Sequence, residues 1–233
     1  MSRSPRINPA LDAEPYAPYR FPKDVTLRLD GNEGGPVSPG VLSCLAELSP
    51  QALSRYPDPK PLEAQLAVRA GLTPEQVVLT AGADEGLMRA CRAFRVPGRE
   101  LILPEPTFEM IPRFAAASGG TVVSVPYGRA GYPLDAVLDA ISPDTGLIAV
   151  VSPNNPCGQV ITGAQLCSLS AAAPGAMILV DLAYTEFADE DLTQLALTLP
   201  NVLVFRTFSK AAGLAGLRLG YAMGPSRWVG ALR

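Results

Sequence analysis

Lys210 is the residue whose neighbours most strongly suggest covalent chemistry. It follows the hydroxyl-bearing residues Thr207 and Ser209 and precedes a glycine-rich stretch, Gly213-Leu214-Ala215-Gly216, so it does not belong to an amphipathic helix. A lysine held at the end of a strand can lose its proton, and the neutral amine can then form a Schiff base with an aldehyde. When Lys210 is considered alone, a solvated surface lysine is the competing interpretation.

Asp181 and Tyr184 form a second polar group directly after a strongly apolar segment. Asp181 follows Ala176-Met177-Ile178-Leu179-Val180, so a predicted strand orients its carboxylate between apolar walls. A pyridine nitrogen facing this carboxylate stays protonated, and the protonated ring acts as an electron sink that stabilises a carbanion. The Tyr184 hydroxyl, three residues further on, is placed to reach the same ring. A helix N-cap is the alternative role for Asp181.

A strand, a turn of small residues around Ala83 and Asp84, and a helix follow one another in residues 77–94. The free N–H groups and the positive end of the dipole at such a helix N-terminus attract an anion such as phosphate. Hydroxyl donors and a guanidinium, which can hold a dianion through two hydrogen bonds, are available from Thr207, Ser209 and Arg218. Taken singly, a glycine-containing turn and a surface arginine have plainer structural explanations.

Asn155 and Phe108 each follow a predicted strand. Asn155 lies between Pro153 and Pro156, which restrict the backbone and hold the amide in place. This amide can donate to a phenolate oxygen on a planar ring, and an ordinary Asn-Pro turn is the competing interpretation. Phe108 can stack on such a ring, with packing in the core as its alternative.

The chain contains no histidine. Catalysis by a Ser-His-Asp or Cys-His arrangement is therefore excluded, and acid–base chemistry falls to lysine, tyrosine or a carboxylate. The cysteines lack the close spacing of a metal site, so no metal is predicted. The scattered positions of the cysteines predict thiols in a protein of the reducing cytoplasm. These cysteines are Cys44, Cys91, Cys157 and Cys167.

The 19 basic and 22 acidic residues nearly balance, without a long run of either sign. This balance argues against nucleic acid or an anionic membrane as a partner. No segment approaches the roughly 18 apolar residues that a membrane helix needs, and the N-terminal segment lacks the apolar core of a secretory signal. We therefore expect small-molecule partners.

The elements that must position these side chains alternate between strands and helices. Short apolar segments predict strands buried on both faces at residues 77–80, 101–103, 121–125, 147–151, 177–180 and 202–205. Helical periodicity appears between them at residues 84–94, 108–117, 134–141 and 164–172. The alternation predicts a three-layer α/β/α fold around a mostly parallel mixed sheet. Ligands of such sheets bind beyond the carboxyl ends of the strands, where the polar groups above are expected.

The beginning of the chain has a different character. It is rich in proline and glycine, and residues 31–39 resemble a turn. We interpret residues 1–37 as an N-terminal arm and loop and residues 38–233 as one large domain. Helices are predicted near residues 39–48 and 61–70, with Arg55-Tyr56-Pro57-Asp58-Pro59 as a rigid loop between them.

Three motifs resemble those of class I/II aminotransferases, pyridoxal-phosphate-dependent enzymes of fold type I. Residues 207–218 (TFSKAAGLAGLR) are similar to the motif around the cofactor lysine, residues 180–184 (VDLAY) to the Asp-x-x-Tyr motif, and residues 153–158 (PNNPCG) to the Asn-Pro-Thr-Gly motif. Residues 55–58 (RYPD) and 82–86 (GADEG) look like the histidinol-phosphate aminotransferase branch. The resemblance runs from about Leu29 to the end of the chain.

The resemblance implies pyridoxal 5′-phosphate as the cofactor and assigns roles around its ring. Lys210 would form the Schiff base and then move a proton, and Asp181 would pair with the ring nitrogen. Tyr184 and Asn155 would hydrogen-bond the ring O3′, and Phe108 would stack on the ring. The implied phosphate-binding residues are Ala83, Asp84, Thr207, Ser209, Arg218 and, from the neighbouring subunit of a homodimer, Tyr56.

The reaction implied by the resemblance moves an amino group from a donor such as glutamate to a keto acceptor such as imidazole-acetol phosphate, within histidine biosynthesis. A lyase similar to threonine-phosphate decarboxylase is an alternative, because the cofactor residues are shared on this fold. Tyr16, Tyr19 and Asn32 are candidates for the substrate pocket.

Two departures from the family pattern affect these expectations. Cys157 stands where the family usually has threonine. The chain also ends at Arg233, whereas members of the family continue into a smaller C-terminal domain, on the order of 100 residues, that carries the arginine for the substrate carboxylate. The sequence therefore also allows a truncated chain that binds the cofactor without catalysis.

Overall fold

The computed structural model describes residue 24 and residues 31–94, 98–128 and 131–233. Tyr16 and Tyr19, together with most of the predicted arm at residues 1–37, lie outside the described residues. Across the described ranges, no helix combines the length and the apolar character needed to cross a membrane.

One mixed sheet of seven strands occupies the described part of the chain, which confirms the predicted α/β class. Its strands are β1 (Val77–Thr80), β2 (Glu100–Glu105), β3 (Thr121–Pro126), β4 (Thr145–Val151), β5 (Met177–Asp181), β6 (Val202–Thr207) and β7 (Gly220–Met223). The spatial order is β1-β7-β6-β5-β4-β2-β3. Only β7 is antiparallel to its neighbours among these strands, so the other six end at the same edge of the sheet.

Helices cover both faces of the sheet. They are α1 (Pro39–Ala46), α2 (Pro50–Ser54), α3 (Lys60–Ala70), α4 (Gly82–Phe94), α5 (Met110–Ala117), α6 (Leu134–Asp139), α7 (Gly163–Ala172), α8 (Thr193–Leu197) and α9 (Ser226–Gly230). Alternate residues of a strand point to opposite faces. Within β5, Ile178 and Val180 therefore pack with α3, α6, α7 and α8, whereas Leu179 packs with α4, α5 and α9.

Two features of the sheet differ from the sequence prediction. Strand β7 was not expected, because only Tyr221, Ala222 and Met223 separate Gly220 from Gly224, and so short an apolar run carries no clear pattern. Strand β3 was expected to be buried on both faces, but it lies at the edge of the sheet and most of its residues are partly or fully exposed. An edge strand has a neighbour on one side alone, so its faces are covered less completely.

The helix predicted at residues 39–48 is observed as α1, and α2 is a second short helix beyond the predicted range. The Ser38 and Ser49 hydroxyls cap the two helices, and each accepts a hydrogen bond from the backbone N–H three residues later. Pro39 and Pro50 then occupy the first helical positions, where a missing N–H costs nothing. Neither helix contains a buried residue.

The edge strand β1 is tied to α3 through a buried carboxylate. Glu63, whose side chain is 4% exposed, receives hydrogen bonds from Arg233 at 3.2 and 3.0 Å and from the Leu79 N–H at 3.1 Å. Arg233 also donates to the Val77 carbonyl at 2.7 Å. This clamp fixes the strand that leads into the Gly82 turn.

Candidate active site

The polar residues predicted at strand ends gather at the carboxyl edge of the sheet. Asp181 is the last residue of β5, Thr207 is the last residue of β6, and Asn155 follows β4. These three strands are adjacent and parallel, so their ends are neighbours. On the far side of β7, Thr80 ends β1 and leads into α4.

Asp181 is a buried carboxylate at the floor of this edge. It is 4% exposed, and its Oδ1 accepts a hydrogen bond from the Ala183 N–H at 3.0 Å. Burial raises the pKa of the Asp181 carboxyl to about 7; the Ala183 hydrogen bond opposes the rise, and the Asp84 carboxylate adds to it. A protonated ring nitrogen placed against Asp181 would compensate the buried charge, because burial is costly for an unpaired carboxylate.

Lys210 extends over the ring of Tyr184. The Lys210 Nζ lies 5.3 Å from the ring centroid and donates a hydrogen bond to the Gly31 carbonyl at 3.4 Å. Its positive charge also opposes the rise in the pKa of Asp181, so the two side chains share one electrostatic environment. Lysine, tyrosine and aspartate therefore converge as the sequence predicts.

Asn32 joins Asn155 to Tyr184. Its Nδ2 donates to the Tyr184 hydroxyl at 3.3 Å and to the Asn155 Oδ1 at 3.5 Å. These contacts place the Asn155 amide and the Tyr184 hydroxyl side by side, as donors to one oxygen would need to be. Asn32 has a positive φ of 48°, which asparagine tolerates better than most residues.

Asn154 supports the Asn155 loop, and the sequence analysis did not assign it a role. It is buried, accepts from the Thr107 hydroxyl at 2.6 Å, and donates to the Pro106 carbonyl and to the Cys157 sulfur, each at 2.9 Å. The loop after β4 is thereby fastened to the loop after β2. The sequence shows two consecutive asparagines between prolines. Only the fold determines that the Asn154 amide is buried and that the Asn155 amide is more open.

The turn after β1 forms a cradle around the Arg218 guanidinium. Gly82 has a φ of +76°, and a Cβ on it would lie 2.7 Å from Nη2 of Arg218. Ala83 and Asp84 follow in the first turn of α4, where backbone N–H groups have no partner within the helix. Arg218 Nη2 lies 3.3 Å from Asp84 Oδ2. The predicted anion site is thus assembled from two segments far apart in the chain.

Thr207 and Ser209 complete this cradle from the side of β6. The Thr207 hydroxyl lies 2.9 Å from the Ser209 hydroxyl and accepts from the Ser209 N–H at 3.1 Å. Both residues are held close to the Lys210 turn. Their hydroxyl groups are available as further donors to an anion.

The loop at residues 31–36 lies directly on the backbone of the Lys210 turn. A Cβ on Gly34 would collide with the Lys210 carbonyl oxygen, so glycine is required for this approach. The loop also carries Asn32 and Gly31, which contact Tyr184 and Lys210. The loop at the end of the predicted arm therefore forms one wall of this group of residues.

A cavity of about 760 Å³ opens beside the Asn155 and Tyr184 side chains. Asn32 lines it, in agreement with its predicted position at a substrate pocket. Glu33, Asp189 and Glu190 also line the cavity, and its described lining contains no lysine or arginine. This volume is in the range of small-molecule sites.

Phe108 and Tyr56 are the remaining predicted site residues. Phe108 is half-buried and packs against the apolar cluster on the α4 and α5 face, so its stacking role stays a prediction. The Tyr56 side chain, between α2 and α3, is fully exposed. Its predicted contact with a neighbouring subunit likewise stays a prediction.

Comparison with known proteins places this arrangement in a family. The family model for aminotransferase class I and II matches residues 28–233. A histidinol-phosphate aminotransferase of Granulibacter bethesdensis is 34% identical over 242 residues, covering 98% of this chain and 65% of the relative. An aromatic amino acid aminotransferase of Corynebacterium efficiens is 37% identical over 231 residues, covering 95% and 67%.

Solved structures agree with these relatives. Histidinol-phosphate aminotransferase from Sinorhizobium meliloti, in complex with pyridoxal-5′-phosphate, superposes with a TM-score of 0.86 at 26% identity and covers 99% of this chain and 66% of that one. Another relative, histidinol-phosphate aminotransferase 2 of Nitrosospira multiformis, is 34% identical, and the match covers 80% of this chain and 49% of that protein. The chain thus spans about half to two thirds of the length of these relatives.

Proposed function

This chain belongs to the class I and II aminotransferase family, and from that premise we propose that it transfers an amino group between an amino acid or amino phosphate and a 2-oxo acid. Pyridoxal 5′-phosphate is its cofactor. The observation that carries the proposal is the convergence of the Lys210 amine, the Tyr184 ring and the buried Asp181 carboxylate at one edge of the sheet.

The described residues fit this cofactor. Asp181 is a buried carboxylate that no lysine or arginine in the described part of the chain contacts directly, and it would hold a protonated ring nitrogen. The Asn155 amide and the Tyr184 hydroxyl are adjacent and would both donate to the ring O3′. In this proposal Phe108 stacks on the ring face.

The phosphate would lie at the N-terminus of α4. The Ala83 and Asp84 N–H groups, the Thr207 and Ser209 hydroxyls and the Arg218 guanidinium all border the Gly82 turn or the adjoining end of β6. A helix N-terminus combined with a guanidinium is a strong site for a dianion. A glycine suits this turn, because its φ of +76° is strained for other residues and a Cβ there would crowd the flexible end of Arg218.

When bound, pyridoxal phosphate supplies an aldehyde for Lys210 and a ring that accepts electrons. The Lys210 amine would remove the proton from the substrate α-carbon, as a general base near the site floor. Asp181 would hold the proton on the ring nitrogen throughout, since no cation among the described residues contacts its carboxylate directly. The 31–36 loop would keep water from the Lys210 side of the site.

For the substrate, we propose a histidinol-phosphate type of aminotransferase with a role in histidine biosynthesis, supported by relatives of that name at 34% identity. An aromatic amino acid aminotransferase is the second candidate, favoured by a relative of that name at 37% identity. The absence of any lysine or arginine from the described lining of the cavity also favours an uncharged side chain over a phosphate in that space. Glutamate or a similar amino acid would serve as donor.

We further propose a homodimer in which Tyr56 completes the neighbouring subunit's phosphate site. The fully exposed Tyr56 ring and the exposed leucines of the preceding helices support this assembly. In the same proposal, residues 38–233 constitute the cofactor-binding domain and residues 1–37 an arm and loop. Cys44, Cys157 and Cys167, which form no disulfide, support the proposed cytoplasmic location.

The decisive experiment follows the visible absorbance of the purified chain during titration with pyridoxal phosphate. We expect saturable binding and a yellow protein, and Lys210→Ala should abolish the yellow band while Lys60→Ala, an exposed lysine on α3, should retain it. A wild-type chain that stays colourless with excess cofactor would contradict the proposal.

Loaded protein is then mixed with single amino donors to separate the two substrate candidates. Loss of the yellow band with histidinol phosphate but not with phenylalanine favours the first, and the reverse favours the second. Release of carbon dioxide from a phosphorylated amino acid would instead indicate a lyase.

A further inference from the structure

Asp84 occupies an unexpected position for a site that receives a phosphate. Its carboxylate lies in the first turn of α4, with Oδ2 3.3 Å from Nη2 of Arg218. The Arg218 guanidinium is the cation that the proposed phosphate site depends on. An anionic side chain of the protein itself therefore already contacts the group that the phosphate needs.

The other charged groups around Asp84 come from separate elements. Lys210, after β6, and Arg218, before β7, both favour its ionised form, although burial is the largest influence and raises the pKa of the Asp84 carboxyl. Asp181, at the end of β5, interacts unfavourably with Asp84. Two carboxylates thus share two cations at this edge of the sheet.

The neighbouring acid on the same helix is engaged elsewhere. Glu85 accepts a hydrogen bond from the Ala81 N–H at 2.6 Å and pairs with Arg89 at 2.8 Å. Its carboxylate is therefore committed to closing the first turn of α4. Asp84 is the acidic side chain of that turn that faces the cradle.

A dianion entering this cradle must replace the contact between Asp84 and Arg218. The Asp84 and Arg218 side chains are 44% and 51% exposed, so the carboxylate has open space into which it can turn. Such a half-exposed ion pair is weak, but its loss and the repulsion between carboxylate and phosphate both reduce the free energy of binding. The pair would re-form when the phosphate leaves.

We propose that the Asp84 side chain is a resident anion on Arg218 that competes with the cofactor phosphate and so sets how tightly the cofactor is held. This inference rests on the proposed function, because it concerns the same cofactor. The Asp84 carboxylate would weaken phosphate binding, whereas the Asp84 backbone N–H would strengthen it. The side chain is thus a determinant of affinity and exchange rather than a direct support for the phosphate.

The test compares cofactor-free wild type with Asp84→Asn and Asp84→Ala, the second variant guarding against a new hydrogen bond from the amide. Dissociation constants for pyridoxal phosphate and for pyridoxal, which lacks the phosphate, are measured at pH 8 by fluorescence titration. We expect both variants to bind pyridoxal phosphate roughly three- to tenfold more tightly than wild type, with pyridoxal affinity unchanged. Asp135→Asn, the same change in the first turn of α6, is the matched control and should alter neither.

The advantage of the variants should shrink as the pH is lowered and Asp84 in the wild type becomes neutral. Equal or weaker binding of pyridoxal phosphate by both variants would overturn the inference while leaving the proposed function intact. An equal gain for pyridoxal would also overturn it, because the effect would then not involve the phosphate. Absence of cofactor binding by the wild type would instead defeat the proposed function itself.

Discussion

The Lys210 ammonium is positioned over the Tyr184 ring, 5.3 Å from its centroid, although the two residues lie in different loops. The same Tyr184 carries a hydroxyl that accepts a hydrogen bond from Asn32. The face of the Tyr184 ring therefore contacts the Lys210 ammonium, and its hydroxyl binds Asn32 of the 31–36 loop. A cation over an aromatic face is stabilised by the ring quadrupole, so this contact orients the amine towards the site.

Tyr184→Phe should preserve the position of Lys210 but remove the hydroxyl donor to the cofactor O3′. A hydrogen bond to the deprotonated oxygen favours that form, so its loss should raise the apparent pKa at which the visible spectrum of the loaded protein changes. The measurement is a pH titration of absorbance. Phe187→Leu, at the cavity wall, is the control, and an unchanged midpoint in Tyr184→Phe would contradict the proposed contact.

Asp181 should make the cofactor-free protein less stable as the pH rises. Its carboxyl pKa is about 7 in the fold, against an ordinary value of 3.8, so the folded state retains a proton that the unfolded state loses. The stabilisation is fully present below pH 3.8 and is lost as the pH rises to about 7, by about 4 kcal/mol at most.

Chemical unfolding of wild type and Asp181→Asn across this pH range isolates the contribution of Asp181. The difference in the free energy of unfolding should move in favour of the variant as the pH increases. A pH-independent difference would show that the Asp181 carboxyl is not perturbed. Loaded wild-type protein should lose the pH dependence, because the ring nitrogen then compensates the charge.

Gly82→Ala should impair cofactor binding more than its backbone conformation alone explains. The added Cβ would lie 2.7 Å from Arg218 Nη2, so the flexible end of the guanidinium must shift from its position in the cradle. We expect at least tenfold weaker binding and a loss of about 1–3 kcal/mol in stability. Gly119→Ala is the matched control, since Gly119 has a φ of +79° with nothing within 4 Å of its added Cβ. Equal cofactor affinity in the two variants would contradict the steric argument.

Arg233→Ala should destabilise the fold by leaving the buried Glu63 carboxylate without its cation. The Arg233 side chain is 41% exposed, which moderates the expected loss to about 1–3 kcal/mol in the free energy of unfolding. Urea denaturation measures it. Glu109→Gln, which alters an exposed pair with Arg113 on one helix, should change stability by less than about 0.5 kcal/mol.

Leu45→Arg should convert the proposed homodimer into monomers. Leu42, Leu45, Leu48 and Leu53 are exposed on or next to α1 and α2, although neither helix buries a residue against its own chain. A partner that covers these leucines would reject a buried, unpaired charge. Light scattering after size-exclusion chromatography gives the mass. Val68→Arg, which alters an even more exposed apolar position on α3, should leave the dimer intact.

The strand ends were predictable because burial in a parallel sheet demands continuous apolar runs, and these are visible locally. Asp181, Thr207 and Asn155 could therefore be assigned to one edge before the fold was known. Strand β7 escaped prediction because its pairing with β1 and β6, rather than its own short sequence, makes it a strand. Asn32 of the 31–36 loop was a pocket candidate, but the contact of Gly34 with the Lys210 backbone was not predicted, because it depends on residues far apart in the chain.

Local sequence determined which side chains stand at the ends of strands and which motif surrounds each one, since periodicity, turn chemistry and motif spacing are properties of short segments. Only the tertiary structure decided that Asn32 bridges Asn155 and Tyr184, that Asp84 meets Arg218, and that Asp181 is buried enough to raise its pKa. Those outcomes depend on packing between distant segments and on the exclusion of water around a charge. Both arise only when the chain folds and brings these segments together.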